Sequence, residues 1–237
     1  MHTIKYRKII DLSHTITEGI PSWPGNGKQH KPFLKQIISN YKENGFLQYY
    51  LNLAEHIGTH IDAPLHTNER NYSIDQLPLE NLISSGYVIN VTKQISINPD
   101  YRLQVEDILL WEKINGSIKG NSFIIMQSDW SEYWNQPDKY LNMDENGKMH
   151  FPGFSKETVE FLIKERGVNG IGVETMSIDA GNSEDFSVHK TLFNYNKYAI
   201  ENLKNIKLLP VKNFIIVAIP LKIMNGTGSP ARVLALI

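Results

Sequence analysis

Short apolar runs bounded by polar or turn residues predict a series of β-strands along the chain. The runs cover residues 7–12, 86–91, 122–127, 168–174 and 214–220. A tight turn that begins at Gly226 leads into a further apolar stretch, which predicts a last strand up to Ile237. Runs of this length, alternating with helical patterns, are typical of an α/β domain.

Helical patterns separate several of these runs. The clearest helix is predicted over 155–167, because Ser155 can cap its N-terminus, acidic residues occupy its first turn and basic residues its last, and Gly167 ends it. A second helical period covers 105–111, and residues 73–82 predict a turn with a short helix. No repeat, low-complexity tract or linker interrupts the sequence, so we expect one α/β domain with a mixed sheet over residues 1–237.

Residues 129–153 break this rhythm. They are rich in aromatic and polar side chains and end in Phe151-Pro152-Gly153, a pattern too irregular for a core element. A loop of this length inside a domain is often functional. We therefore expect a flap over a pocket here, with aromatic side chains that a flat substrate could contact.

The charge balance argues against a nucleic-acid or membrane partner. The chain has 24 basic and 25 acidic residues and a net charge of −1, which leaves no electrostatic footprint for nucleic acid or anionic lipid. No apolar run approaches the ~20 residues of a membrane span, and no signal-peptide core follows the basic N-terminus. We expect a cytoplasmic protein that acts on a small molecule.

Candidate metal ligands are concentrated in the segment from His56 to His66, whose spacing is H-x-x-x-H-x-D-x-x-x-H. The sequence contains no cysteine, which excludes disulfides and thiolate metal sites. Imidazole and carboxylate ligands suit zinc, manganese or iron. The simpler alternative is that these side chains only cap and hydrogen-bond a surface loop.

Backbone geometry requires a bend inside this motif. Residues 47–53 predict a strand that enters it, but an extended chain would separate positions 56 and 60 by about 13 Å, too far for one ion. Gly58 is the residue at which the chain can bend most easily. A helix is disfavoured by Gly58, Thr59 and Pro64. We interpret the motif as a strand followed by a bent loop.

Trp23 is held between Pro21 and Pro24 in a rigid turn predicted over residues 20–27. Two interpretations stay open, a stacking wall for a flat substrate and a lid on the hydrophobic core. His14 and His30 have no candidate partners nearby in the sequence, and both are interpreted as structural or solvated.

With these motifs in place, the sequence resembles the cyclase-like metal-dependent hydrolases, a family that includes bacterial kynurenine formamidase, isatin hydrolase and a γ-lactamase. The metal motif is similar to the family signature H-x-G-T-H-x-D-x-P-x-H. Further similar pieces lie along nearly the whole chain, at 10–13, 21–25, 173–179, 188–192, 200–203 and 226–232. Glu174 departs from the pattern, since the family often has aspartate there, and we expect it to reshape the nearby pocket.

The resemblance implies a swivelling β/β/α fold and a homo-oligomer, usually a homodimer or homotetramer. It assigns His56, His60 and Asp62 to one divalent metal, zinc or manganese, and His66 to acid/base catalysis. It adds His189 and Glu201 as ligands that complete a two-metal site in the formamidase branch, whereas the isatin hydrolase branch is known for one manganese. The long aromatic segment 129–153 resembles the isatin hydrolase and lactamase branch.

The residues by themselves leave alternatives open for the two late ligands. Without the resemblance, His189 is equally well a core histidine at a helix start, and Glu201 is better interpreted as an exposed helix carboxylate.

The chemistry expected at this site is metal-assisted hydrolysis. A divalent metal polarises a carbonyl and lowers the pKa of a bound water to about 7, and His66, four residues after Asp62, is placed to move a proton. We expect hydrolysis of a small amide, namely an N-formyl group, a cyclic amide or a lactam, with Trp23 in contact with the substrate. Two alternatives use the same site, a metal-dependent cyclase or dehydratase and a metal-binding protein without catalysis.

Overall fold

A closed β-barrel forms the centre of the computed structural model, which describes residues 5–24 and 33–237. The strands within those residues are β1 (Ile9–Asp11), β2 (Phe33–Ser39), β3 (Gln48–Leu53), β4 (His60–Asp62), β5 (Ile83–Asn90), β6 (Arg102–Leu103), β7 (Ser122–Gln127), β8 (Gly153–Phe154), β9 (Gly170–Val173), β10 (Tyr198–Glu201), β11 (Phe214–Pro220) and β12 (Gly228–Leu236). The helices there are α1 (Tyr41–Asn44), α2 (Thr92–Ile95), α3 (Val105–Asn115), α4 (Pro137–Leu141), α5 (Lys156–Arg166) and α6 (Ser187–Asn194).

The barrel strands follow the order β12-β11-β5-β7-β9-β10-β4, and pairing of β4 with β12 closes the ring. Strands β5, β7, β9 and β10 run parallel to their neighbours in this group, while β11, β12 and β4 pair antiparallel. β12 closes the ring because its first residues pair with β4 and its last residues pair with β11 and with β1. The predicted α/β domain with a mixed sheet is confirmed.

Strand β7 shows how the barrel and the helices share the hydrophobic core. Phe123 and Ile125 point into the barrel interior, and Ile124 and Met126 point outwards to the layer formed by α3, α5 and α6. Successive side chains of a strand alternate between its faces, so a continuous apolar run is needed where both faces are buried. This requirement explains why the predicted strand at 122–127 matches β7.

Local signals also placed the main helix correctly. The Oγ of Ser155 accepts a hydrogen bond from the backbone N–H of Thr158, and Gly167 ends α5 in the left-handed conformation with φ +62°. The helical period at 105–111 corresponds to α3. Residues 73–82, predicted as a turn with a short helix, form two 3₁₀ turns at Ile74–Gln76 and Leu79–Asn81.

The expectation of a flap at 129–153 is wrong. Its side chains Trp130, Trp134, Tyr140 and Phe151 are buried and form a third hydrophobic cluster with Ile57. The segment includes a 3₁₀ turn and α4, and its buried side chains pack against Ile57 of the metal motif. Large aromatic side chains remove much apolar surface from water when they are buried, so these four side chains belong to the core, although many polar residues of the segment are exposed.

The metal motif also differs in part from its interpretation as a strand followed by a bent loop. The strand predicted at 47–53 is β3, which pairs with β2 in a separate hairpin outside the barrel. The bend falls at Gly58, with φ +59° as expected. After the bend His60–Asp62 form the fully buried barrel strand β4 instead of a loop.

Residues 25–27 of the turn predicted around Trp23, and His30, lie outside the described residues. Among the described residues, the longest helices have only 11 residues, and no helix combines the length and apolar character needed to cross a membrane.

Candidate metal centre

The register of two barrel strands brings together residues that are far apart in the sequence. β10 and β4 pair antiparallel with Glu201 opposite His60 and Ala199 opposite Asp62. Glu201 is 4% exposed and ends a strand, so its interpretation as an exposed helix carboxylate is wrong. His189 is buried near the start of α6, as its core alternative proposed, and its ring faces the same centre.

Two glycines allow His56 to approach this strand pair. The turn at Gly58 takes a positive φ, a conformation that residues with a Cβ rarely adopt. Gly228 lies opposite Asp62 on β12, and a Cβ atom there would come within 2.5 Å of the His56 ring. The turn at Gly58 and the missing Cβ at Gly228 therefore together make room for the His56 imidazole.

The side chains form two possible metal-ligand groups that share Asp62. In the first, Asp62 Oδ1 lies 2.6 Å from His56 Nδ1 and 3.1 Å from His60 Nε2. In the second, His189 Nε2 lies 3.5 Å from Asp62 Oδ2 and 3.2 Å from Glu201 Oε1. The ligand atoms of each group all lie within 4.8 Å of one another. Glu201 Oε2 also lies 3.5 Å from His60 Nε2. Asp62 and Glu201 therefore each have one oxygen near a histidine of each group.

The hydrogen bonds of the three histidines direct one ring nitrogen of each towards this centre. His60 Nδ1 donates to the carbonyl of Gly58 at 2.9 Å, and His189 Nδ1 donates to Asp179 at 2.6 Å. The Thr227 hydroxyl donates to Glu55, so its oxygen accepts the N–H of His56 Nε2 at 2.9 Å. Such outer partners orient metal-binding histidines and fix their tautomer.

The residues fit a divalent metal, and the clearest sign is His60 Nε2. This buried atom forms no hydrogen bond of acceptable geometry with any residue in the described part of the chain. Buried polar nitrogens normally have a partner. Since neutral imidazole nitrogen and carboxylate oxygen are zinc and manganese ligands, the donor set suits either ion.

Burial and mutual attraction oppose each other at the charged groups of the centre. Burial lowers the pKa of His60, but the charges of Asp62 and Glu201 outweigh it and raise the pKa to about 9. Burial disfavours the charged form of Asp62, yet His60 and His56 hold its pKa well below the usual range. Burial and the nearby Asp62 charge raise the pKa of Glu201. The centre therefore concentrates negative charge that favours a cation.

His66 lies beside the ligands rather than among them. It follows β4 at the end of a 3₁₀ turn, and its ring centroid is 4.1 Å from that of His56 and 6.1 Å from that of His189. Burial lowers its pKa to about 4, so the imidazole is neutral at pH 7. A neutral imidazole next to the metal ligands can accept a proton.

A cavity of about 550 Å³ opens onto the centre. Its apolar wall is formed by Pro21, Trp23, Met176 and Phe186, and the Trp23 and Phe186 rings lie 5.9 Å apart between centroids. Trp23 is 41% exposed and lines the cavity, so the structure places it at the cavity wall and not on the core. None of the described residues that line this cavity belongs to segment 129–153.

Glu174 does not reshape this cavity. Its Oε2 accepts hydrogen bonds from the backbone N–H groups of Ser128 and Asp129 at 2.8 and 2.7 Å, and its Oε1 accepts from the Ser131 hydroxyl at 2.7 Å. The carboxylate therefore anchors the start of the 129–153 segment. His14, interpreted as structural or solvated, stacks on Trp134 at 3.9 Å between ring centroids.

Sequence reasoning assigned no role to several residues that support the centre. Asp179 accepts from the backbone N–H and from Nδ1 of His189, and Thr227 and Glu55 orient His56. Asn202 Nδ2 donates to the Gly58 carbonyl at 2.8 Å. Asp179, Asn202 and Thr227 lie within the segments 173–179, 200–203 and 226–232, which resemble the family pattern. That resemblance was the sequence feature that could have identified them.

The Asn202 side chain connects segment 129–153 to the metal motif. Its Oδ1 accepts from the Tyr140 hydroxyl at 2.6 Å, while its Nδ2 holds the carbonyl that orients His60. The aromatic segment thus helps to position His60 through Tyr140, Asn202 and the Gly58 carbonyl.

Comparisons with known proteins place the chain in one family. Residues 10–180 match the family described as "Putative cyclase". Isatin hydrolase from Roseibium aggregatum is 36% identical over 210 residues, which cover 84% of this chain and 79% of that protein. Kynurenine formamidase from Salinibacter ruber is 26% identical over 227 residues, covering 94% and 95%. The structure of isatin hydrolase A from Ralstonia solanacearum superposes with a TM-score of 0.90 and 36% identity, covering 97% of this chain and 92% of that one.

Proposed function

The chain belongs to the cyclase family of metal-dependent hydrolases, and we propose that its substrates are small amides: N-formyl groups, cyclic amides or lactams. The observation that supports this proposal best is the pair of possible ligand groups that share Asp62, with three imidazoles oriented towards them. The names of the relatives, an isatin hydrolase and a kynurenine formamidase, support a non-peptide C–N bond as the target.

His56, His60 and Asp62 would hold one zinc or manganese ion, and Asp62, His189 and Glu201 would hold a second. A bound divalent ion supplies a Lewis acid and lowers the pKa of a water molecule. His66 is the group we assign to proton movement, because it faces the cavity beside His56 without being a ligand of either group. It accepts the proton of the attacking water and returns it to the leaving nitrogen.

The cavity wall supports a flat substrate. Trp23 and Phe186 present ring surfaces on the same side of the cavity, and Met176 and Pro21 extend this apolar side. A planar amide conjugated to a ring would remove this surface from water while its carbonyl reaches the centre. We propose Trp23 as a substrate-contacting residue on this basis.

The test is turnover of N-formylkynurenine, isatin and a γ-lactam by protein of measured metal content. Hydrolysis of at least one substrate is expected, with loss after chelation and recovery when zinc or manganese is added back. His60→Ala should lose both metal and activity. His66→Gln should keep the metal and lose activity, which separates a hydrolase from a metal-binding protein. Activity that survives exhaustive chelation or His60→Ala would refute the mechanism.

Labelled water separates hydrolysis from the cyclase or dehydratase alternative. Hydrolysis must place solvent oxygen in the new carboxylate, so product formed in ¹⁸O-labelled water should carry the label. A turnover product without the label would favour the alternative.

We further propose a cytoplasmic homodimer or homotetramer. The β2–β3 hairpin supports assembly, because Ile37, Ile38, Tyr50 and Leu51 are each at least 50% exposed on a two-stranded sheet outside the barrel, and an isolated hairpin is only marginally stable. Light scattering coupled to size exclusion would give the mass in solution, and a monomer at working concentrations would contradict this proposal.

A further inference from the structure

One cationic side chain lines the cavity outside the metal-ligand groups. Among the described residues of the cavity wall, Lys190 is the only lysine or arginine. It is exposed, and no carboxylate in the described part of the chain lies within 4.0 Å of its Nζ atom. Its charge is therefore available to a ligand.

The start of α6 places Lys190 beside the apolar wall and the centre. Phe186 is the N-cap of this helix, and His189 and Lys190 follow three and four residues later. Residues at these spacings are neighbours on one helix face, and the Phe186 and His189 rings lie 6.1 Å apart between centroids. His189 and Lys190 are consecutive, so their side chains diverge, but with Phe186 they all line the same cavity, and the start of α6 thus supplies an aromatic surface, a candidate metal ligand and a cation.

No carboxylate of residues 5–24 and 33–237 forms an ion pair with this lysine. The two carboxylates that line the cavity, Asp62 and Glu201, both face the metal-ligand groups. Asp185, which precedes α6, accepts instead from the backbone N–H of Ser187 at 3.1 Å and from the Ser183 hydroxyl at 3.4 Å. The charge of Lys190 contributes to a lowered pKa of Asp185, but the two groups form no ion pair within 4.0 Å, so the ammonium group can still bind an anionic ligand at the cavity.

We propose that the cavity selects an aromatic amide whose ring carries a carboxylate, and that Lys190 binds this carboxylate. This inference rests on the proposed function. The ring lies against Trp23 and Phe186, the amide carbonyl reaches the metal centre, and the carboxylate lies at the cavity rim. Lys190 is a specificity-determining residue in this arrangement, since it touches a part of the substrate that does not react.

The test compares charged and neutral substrates of the same shape. Metal-loaded protein is assayed with the ortho, meta and para formamidobenzoates and with formanilide, which lacks the carboxylate. At low ionic strength, kcat/KM for the best formamidobenzoate is expected to exceed that for formanilide. Lys190→Met should reduce this ratio by about 3- to 10-fold, mainly through KM, as expected for one charged contact at a partly exposed site. Added salt should reduce the ratio as well.

Two further variants make the comparison specific. Lys190→Arg should keep most of the ratio, because it keeps the charge. Lys156→Met removes a lysine from the groove on the other side of Lys190 without altering the cavity wall, and the ratio should not change. An equal ratio in wild type and Lys190→Met, or equal loss for both substrates, would overturn the proposal and would indicate that the carboxylate binds the metal or no specific group.

A binding measurement distinguishes failure of this inference from failure of the proposed hydrolase function. If no formamide is hydrolysed, binding of ortho-aminobenzoate to the metal-loaded protein is measured by calorimetry. Weaker binding to Lys190→Met than to wild type would still support the anion site, and equal binding would overturn it.

Discussion

The hydroxyl group of Thr227 connects His56 to Glu55, and among the described residues it forms no other side-chain hydrogen bond. Its oxygen accepts from His56 Nε2 at 2.9 Å and its proton goes to Glu55 Oε2 at 2.6 Å. Thr227→Val keeps the shape of the side chain and removes both hydrogen bonds. The ring of His56 then loses the partner that fixes its tautomer and orientation, so the variant is expected to bind metal more weakly.

The magnitude follows from those two hydrogen bonds. At about 1 kcal/mol for each, their loss corresponds to about 2 kcal/mol, or a 30-fold change in the dissociation constant. This agrees with the 10- to 100-fold loss of metal affinity that removal of an outer partner typically causes. We therefore expect Thr227→Val to weaken zinc or manganese binding by about 10- to 100-fold.

The assay is competition for zinc and for manganese with a chromophoric chelator, using wild type and Thr227→Val. The matched control is Thr191→Val, which removes a hydroxyl on α6 that makes no side-chain hydrogen bond to a described residue of the centre. Circular dichroism in the presence of chelator should show that all three proteins are folded at the assay temperature, so that weaker metal binding is not a loss of folding. Metal affinity of Thr227→Val within twofold of wild type would refute the idea that Thr227 positions His56.

Three further predictions concern stability. Glu112 accepts from Arg166 at 2.7 and 2.9 Å, so Glu112→Gln should lower the free energy of unfolding in urea by about 1 to 2 kcal/mol. The hydrogen bond with Arg166 holds the pKa of Glu112 low, so its stabilising contribution is present above the unfolded-state pKa. The contribution is lost as pH falls through the lowered value, and a difference that grows in acid would contradict this reasoning. The hydrogen bond to Asp100 raises the pKa of His150. The stability that His150 adds relative to His150→Gln should therefore be complete below the unfolded-state pKa and disappear as pH rises through the raised value; a pH-independent difference would exclude it. Gly153→Ala would place a Cβ 2.4 Å from the backbone nitrogen of Ala180, so thermal unfolding should show a loss of about 1 to 3 kcal/mol, and an unchanged melting temperature would contradict the close packing.

The candidate metal ligands of the 56–66 motif could be identified from the sequence because their geometry is local. The bend at Gly58 followed from the distance between positions 56 and 60, and the structure has it there. The helix from Ser155 to Gly167 was predictable for the same reason, since caps and charges act within one turn.

The 129–153 segment shows where local patterns stop being informative. Its sequence lacks a period, and the same aromatic residues suit an exposed flap or a buried cluster. Contacts with Ile57 and the hydrogen bond from Tyr140 to Asn202 stabilise the buried cluster. Tyr140 and Asn202 are 62 residues apart, and Ile57 precedes the segment by more than that, so no local pattern encodes the choice.

The sequence by itself determined the α/β class, the strongest strands and helix, and the candidate metal ligands between His56 and Asp62. Only the tertiary structure decided that the sheet closes through β4 and β12, that Glu201 lies opposite His60, and that Lys190 and Trp23 border one cavity. The physical reason is that caps, turns and periodicity act between near neighbours in the chain. A metal centre built across strand register depends on pairings between distant segments, which form only when the whole barrel folds.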